Sequence, residues 1–318
     1  NIDLEKIPMD DKKTFAMLSR GETEAVFQLG GSGMTRFLKD LGPTSIHDIN
    51  AMVALYRPGP MQFIPDYIKR KHNPTLVKYL DPALEKILKK TYGILVYQDD
   101  LLMIARELSG YSWGEADKFR KAVGKKIPEE MEHQRLRFIQ GAIETSKWPH
   151  KKAEELWRWI EPFAAYGFNK AHAVSYGNIS YQTAYMKANY PAEYMTASLT
   201  SESGNIEKTA ELVEECKRMG FKVLPPDINE SFSDFTAVLD ENGKLTDKIR
   251  FGLRSIKNFG DEIGKAIIGE RKNPPAGGGN FKTLTDFLTR IKHKNLNKKS
   301  IEALIMAGAM DSFGERGA

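Results

Sequence analysis

The sequence contains a single cysteine, Cys216, among its 318 residues. It therefore cannot form an internal disulfide or a zinc site built from several cysteines, and its surroundings, EECKRMG, are typical of an inert helix cysteine. The six histidines show no metal-ligand spacing and no serine lies in a nucleophile elbow. These absences argue against an acyl or phosphate hydrolase.

Long apolar runs are also missing. No segment approaches the roughly 20 apolar residues that a membrane-spanning helix needs, and no basic-then-apolar leader opens the chain. Apolar residues still make up 41% of the sequence, so the chain can bury a substantial core. We expect a globular, cytoplasmic protein that does not contact a membrane.

Acidic residues are slightly fewer than basic ones: the sequence has 42 Asp and Glu residues and 47 Lys and Arg residues. The cations crowd into four clusters, at 69–72, 118–126, 147–152 and 292–299. One such cluster alone is better interpreted as a solvated helix face. Four clusters together favour several contacts with a polyanion.

Helical apolar spacing recurs along most of the chain and predicts a mainly α fold. The helix over Ile49–Leu55 must end near Tyr56, because Pro58 and Pro60 remove backbone donors and restrict the residues before them. The sequence YRPGP therefore predicts a rigid loop that presents Arg57.

A small β element interrupts the helices. The segments 234–239 and 248–253 lie on either side of an Asn242-Gly243 pair, which is a strong hairpin signal. Helical spacing returns from 281 to 309.

The peptide ADKFRKAVGKK concentrates positive charge. It puts Arg120 and Lys121 on one helix, with Lys125 and Lys126 just past Gly124. Like charges this close repel one another unless an anion lies among them, and a triphosphate or a nucleic-acid backbone is a suitable anion.

The segment YGFNKAHAVSYGNISYQ, at 166–182, combines cations, amides and aromatic rings with the expected start of a helix. A lone histidine such as His172 is more often structural than functional. A chain that holds a phosphate at one end and a base at the other nevertheless needs this mixture, so the segment points to nucleotides.

Six motifs, in this order, span nearly the whole sequence. They are TFAMLSRGETEAVFQL at 14–29, ALYRPGPM at 54–61, TYGILVYQDDLLMIA at 91–105, FRKAVGKK at 119–126, FAAYGFNKAHAVSYGNISYQTAYMKANYPAEYM at 163–195 and LPPDIN at 224–229. Together they resemble the fingers region of the bacterial replicative DNA polymerase III α subunit, a C-family polymerase, running into its helix-hairpin-helix region.

The resemblance implies a multi-helix fingers domain at 1–228, followed at 229–318 by the β hairpin and helix-hairpin-helix DNA-binding elements. It also implies template-directed nucleotidyl transfer with two Mg²⁺ ions held by three palm aspartates. Those aspartates lie upstream of this region in the family, so we expect no catalytic residue and no metal ligand here, and no primer extension by this chain alone. Asp99 and Asp100 are expected to be solvated.

The resemblance also assigns binding residues. Those expected at the nucleotide are Arg57, Arg120 and Lys121 at the phosphates, Asn169, Lys170 and His172 nearby, and Ser175 and Tyr176 at the base or sugar. Those expected at DNA are Lys125, Lys126, Lys257, Asn258, Gly260, Lys298, Lys299 and Gly308. The family usually has glycine where Asn258 stands, but asparagine tolerates the left-handed conformation that such a hairpin requires.

The implied partners are primer–template DNA and a deoxynucleoside triphosphate (dNTP), with a sliding clamp and other replicase subunits in the full-length enzyme. Two alternatives stay open. The chain could be a non-catalytic DNA-binding module, which a triphosphate alone would not stabilise against heat, or it could come from the family's error-prone paralogue, which shares these motifs.

Overall fold

The computed structural model describes residues 2–125, 128–163, 166–272 and 279–316. These residues are mainly helical with one small sheet, as the sequence predicts. The chain forms two compact units, Asn1–Ala188 and Asn189–Ala318. This division does not coincide with the boundary predicted at 228/229, which separates regions by function and stays a prediction.

The first unit is built from helices. They are α1 (Lys12–Ser19), α2 (Ser32–Leu41), α3 (Ile46–Leu55), α4 (Ile64–His72), α5 (Pro82–Leu88), α6 (Gln98–Ser109), α7 (Trp113–Lys125), α8 (Pro128–Ser146), α9 (His150–Phe163) and α10 (Lys170–Asn189).

Local sequence explains how α3 ends and how the following loop is shaped. The helix stops at Tyr56, as the two prolines require. Gly59 adopts a φ of +97°, and a Cβ at this position would lie 2.4 Å from Cε1 of Tyr166. Only glycine allows this backbone to approach the Tyr166 ring so closely. The loop that carries Arg57 is thereby held against the segment before α10.

Two apolar cores fix the helices of this unit. One gathers residues of α1–α4 and α10, including the fully buried Leu18, Ile49 and Tyr181. The other joins α5–α9 around Phe119, Phe138 and Trp157, whose ring centroids lie 5.8–5.9 Å apart. Phe119 is fully buried in this core, whereas the next residue of α7, Arg120, is partly exposed.

The second unit combines helices with a three-stranded sheet. Its elements are α11 (Pro191–Ser201), α12 (Ile206–Arg218), β1 (Lys222–Leu224), β2 (Thr236–Leu239), β3 (Leu245–Arg250), α13 (Asp261–Lys272), α14 (Leu284–Arg290) and α15 (Lys298–Met306).

The sheet contains a hairpin about the predicted Asn242-Gly243 turn, but its second strand covers 245–250 and not the expected 248–253. Strands β2 and β3 are antiparallel, with Ala237 opposite Ile249, and Gly243 in their turn has a φ of +74°. Strand β1, which the sequence analysis did not predict, pairs parallel to β3 and gives the order β1-β3-β2. Leu253, Ile263 of α13 and Phe287 of α14 belong to one apolar core.

Among the described residues, none of the helices combines the length and apolar character that crossing a bilayer demands.

Candidate nucleotide and DNA site

The segment before α10 lies beside the segment before α6. The Phe168 N–H donates to the Val96 carbonyl at 3.2 Å, and the Gln98 N–H donates to the Phe168 carbonyl at 2.9 Å. These bonds form a short parallel bridge between Tyr97 and Phe168. The N-termini of α6 and α10 are therefore neighbours.

Arg57 contacts this segment directly. Its Nε donates to the Ala54 carbonyl at 3.0 Å, and its Nη2 donates to the Tyr166 carbonyl. The guanidinium carbon also lies 4.6 Å from the ring centroid of Phe168. Burial lowers the pKa of Arg57 from its usual value, yet a guanidinium stays protonated in proteins. Arg57 is thus a fixed, partly exposed positive charge.

Arg120 reaches the same segment through Gln98. Its Nη1 lies 3.3 Å from Oε1 of Gln98, whose Nε2 donates to the Gly167 carbonyl at 2.9 Å. Arg120 and Lys121 also share one carboxylate, with Asp117 oxygens at 2.8 and 2.7 Å. The hydrogen bonds from Lys121 and Arg120 lower the pKa of Asp117. Sequence reasoning missed Gln98, because nothing local to it indicates that it bridges two distant elements.

Asn169 and Lys170 begin α10. The Asn169 Oδ1 accepts the His172 N–H at 2.8 Å, which is a helix cap. The Lys170 N–H donates to Oδ2 of Asp99 at 3.0 Å, and its ammonium lies 3.0 Å from Oδ1 of Asp100.

The expectation that both aspartates are solvated is wrong for Asp100, which is 2% exposed. A carboxylate can be buried here because the Lys170 ammonium and helix N-terminus compensate its charge. Burial raises the pKa of Asp100, while Lys170 opposes that shift.

Aromatic rings follow one face of α10 at four-residue spacing. Phe168 meets the His172 ring edge-on at 5.3 Å, and His172 stacks on Tyr176 at 4.1 Å with an interplanar angle of 27°. Tyr176 in turn lies 5.5 Å from Phe27. We call Phe168, His172, Tyr176 and Phe27 the aromatic row. The exposed Ser175 lies outside it and donates to the Ala171 carbonyl at 2.9 Å.

The first unit therefore brings most of the predicted nucleotide residues to one place. Arg57 lies at one end of the aromatic row, Arg120 joins the same backbone segment, and Lys170 begins the helix that carries the row.

The predicted DNA-binding residues of the second unit occupy turns and helix starts. Asn258 has a φ of +65°, which confirms the left-handed conformation expected of it, and Gly308 has a φ of +81°. Gly260 directly precedes α13, and Lys298 and Lys299 begin α15. Lys126 lies outside the described residues, and the side chain of Lys125 is not among those described.

Part of this set lines one groove. A cavity of about 710 Å³ is bounded by Lys257 and Asn258 from the first hairpin and by Lys299 and Met306 from α15. Met306 is 80% exposed. The groove thus offers two ammonium groups beside an apolar side chain.

Within the described ranges, no group of three or more His, Cys, Asp or Glu side chains could hold a metal ion.

Comparison with known proteins finds similar sequences over almost the whole chain. The family model described as bacterial DNA polymerase III alpha subunit finger domain matches residues 1–146, and a helix-hairpin-helix motif matches residues 220–318. DNA polymerase III subunit alpha of Thermus aquaticus is 47% identical over 99% of this chain. Over these residues the chain is similar to the fingers region and the helix-hairpin-helix motif of bacterial DNA polymerase III α subunits.

Other α subunits match over the same extent. Those of Aquifex aeolicus and Bacillus subtilis are 46% and 44% identical over 98% and 99% of this chain. The chain spans about a quarter of each relative, namely 25%, 26% and 27% of the Thermus, Aquifex and Bacillus proteins. The start of α10, with Asn169, Lys170 and His172, lies between the two matched family models but within the long matches to these α subunits.

Proposed function

We propose that this chain is the part of a template-directed DNA polymerase that binds the incoming dNTP and the primer–template. The observation that carries the proposal is the meeting of Arg57 and Arg120 at the segment Tyr166–Phe168, next to the stacked rings of His172 and Tyr176. Two guanidinium groups suit the phosphates of a nucleotide, and stacked rings suit its base.

The cationic side chains of Arg120 and Lys121 compensate the negative charge of the nucleotide phosphates. Arg120 and Lys121 are paired with an exposed carboxylate, Asp117, which a triphosphate can replace because it offers more negative charge and more acceptor oxygens. In the transition state these cations stabilise the negative charge that develops on the leaving pyrophosphate. Aspartates elsewhere in the full-length enzyme would hold Mg²⁺, which would activate the primer hydroxyl.

The second unit binds the duplex part of the primer–template DNA. The turn at Asn258 lies just before the start of α13, and backbone N–H groups at a helix start suit contacts with phosphates regardless of base sequence, whereas Gly308 turns the chain after the end of α15. Lys257 and Lys299 add charge at the same groove. A sliding clamp and other replicase subunits complete the set of partners in the full-length enzyme.

The relatives reported above are named DNA polymerase III subunit alpha, which favours the replicative enzyme over the error-prone paralogue. The alternative of a DNA-binding module without a nucleotide site has its own test. Under that alternative, dNTP alone does not change the melting temperature of this chain, whereas the proposal expects an increase.

Arg120→Ala in the full-length gene product tests the phosphate role. We expect turnover to fall at least tenfold, with a smaller loss of DNA affinity, because the contact strengthens as charge develops on the pyrophosphate. Arg135→Ala is a matched control, since Arg135 is 28% exposed and pairs with a carboxylate three residues earlier, as the 29% exposed Arg120 does. A normal rate in Arg120→Ala refutes the assignment.

A further inference from the structure

The loop before α2 presents Phe27 to the aromatic row. Val26 and Leu29 on either side are 3% and 0% exposed, whereas Phe27 is 36% exposed. Ala25 and Gln28 adopt left-handed φ values of +63° and +62°. This backbone keeps Val26 and Leu29 in the core and leaves the Phe27 ring outside, 5.5 Å from Tyr176.

The second half of α10 holds this loop. The Phe27 N–H donates to Oγ1 of Thr183 at 3.2 Å. One turn later, Lys187 is 1% exposed, and its ammonium donates to the carbonyls of Glu22 and Glu24 at 3.0 and 2.7 Å. A buried ammonium without acceptors is unfavourable. Moving the loop away from α10 would leave the Lys187 ammonium without these two carbonyls, so the contact stabilises the loop on the helix.

One helix thus has two tasks. Its first half carries Lys170, His172 and Tyr176, and its second half fixes the loop that adds Phe27 to the same row. Since Phe27 and Thr183 are 156 residues apart in the sequence, contacts of this kind, and not chain connectivity, set the distance between Phe27 and Tyr176.

We propose that Phe27 contacts the base of the bound nucleotide and that Lys187 is a positioning residue that holds Phe27 there. The inference rests on the proposed function, because it requires that a nucleotide binds at the aromatic row. It adds two residues that the sequence analysis did not predict and that carry out no chemistry themselves.

Two probes separate base from phosphate. Isothermal titration of the 318-residue chain with dATP and with inorganic tripolyphosphate gives two dissociation constants, and their ratio measures the contribution of the nucleoside. We expect Phe27→Ala to reduce this ratio about tenfold, equivalent to about 1.4 kcal/mol, which is in the range of base–aromatic stacking. Its affinity for tripolyphosphate should not change.

Lys187→Met should reduce the ratio as Phe27→Ala does, and hydrogen exchange of the Phe27 amide should become faster. Lys187→Arg, which keeps the donors, should restore part of the ratio. Lys71→Met is the control, since Lys71 is another buried lysine of this unit, and its ammonium contacts Asp48 and Thr44, neither of which belongs to the aromatic row. It should lower the melting temperature and leave the ratio unchanged.

Each outcome decides a different point. An unchanged ratio in Phe27→Ala overturns the base contact. An unchanged ratio in Lys187→Met, or an equal loss in Lys71→Met, overturns the positioning role. Failure of both probes to bind the unsubstituted chain overturns the proposed nucleotide site itself, and the inference with it.

Discussion

Lys170 is expected near the phosphates of the nucleotide, yet it also compensates a buried carboxylate, and the two roles can be separated. In Lys170→Met, Asp100 keeps its charge at 3% side-chain exposure and loses an ammonium at 3.0 Å. Breaking a fully buried pair costs about 3–5 kcal/mol. Because the Lys170 side chain is 42% exposed and partly screened by water, we expect a loss of about 2 kcal/mol.

The assay uses the position of the tryptophans. All four of them, Trp113, Trp148, Trp157 and Trp159, lie in the first unit, so tryptophan fluorescence follows the unfolding of that unit. For a unit of this size, about 2 kcal/mol lowers the melting midpoint by about 4–8 °C. Lys121→Met is the matched control, because Lys121 is 60% exposed and its loss should barely change the midpoint.

The pH dependence has a definite sign. Burial raises the pKa of Asp100, so the folded state binds this proton more tightly than the unfolded chain does. This group therefore lowers stability as pH rises from its unfolded pKa, near 3.9, through its folded pKa. Lys170→Met removes the main opposing interaction, so its destabilisation should be larger at pH 7 than at pH 4.

The double variant Lys170→Met, Asp100→Asn removes the unpaired charge and should recover most of the midpoint. It should not recover affinity for tripolyphosphate, if Lys170 also contacts phosphate. The electrostatic reasoning is refuted if the double variant unfolds as early as Lys170→Met, or if the destabilisation grows towards low pH.

Three further predictions concern packing, a turn and DNA. Gly177→Ala should destabilise the first unit by about 2 kcal/mol, because its Cβ would lie 1.9 Å from Oδ1 of the buried Asn50. Adding Asn50→Ala should relieve this clash. Tryptophan fluorescence measures the unfolding of both variants. Asn258→Gly should preserve or raise stability while Asn258→Ala lowers it by about 1 kcal/mol, measured by circular dichroism, since φ is +65°. Lys257→Met and Lys299→Met should each weaken the binding of duplex DNA, to a similar extent for different DNA sequences. Each should also reduce the slope of the logarithm of the binding constant against the logarithm of salt concentration by about one. An unchanged slope would exclude contact with phosphate.

The sequence by itself determined the local features of this protein. The end of α3 at Tyr56, the hairpin turn at Gly243 and the left-handed Asn258 could all be predicted, because prolines, glycines and asparagines restrict the backbone at their own positions. The motifs also indicated the family, since they are contiguous stretches of sequence.

Only the tertiary structure determined which residues that are distant in the sequence contact one another. Gln98 joins Arg120 to the backbone of Gly167, and Lys187 holds the Glu22 and Glu24 carbonyls, 165 and 163 residues earlier in the sequence. Asp100 can be buried because Lys170, which belongs to another helix, compensates its charge. Burial and charge pairing depend on partners that are distant in the sequence, so no local pattern encodes them, whereas backbone restriction acts within a few residues.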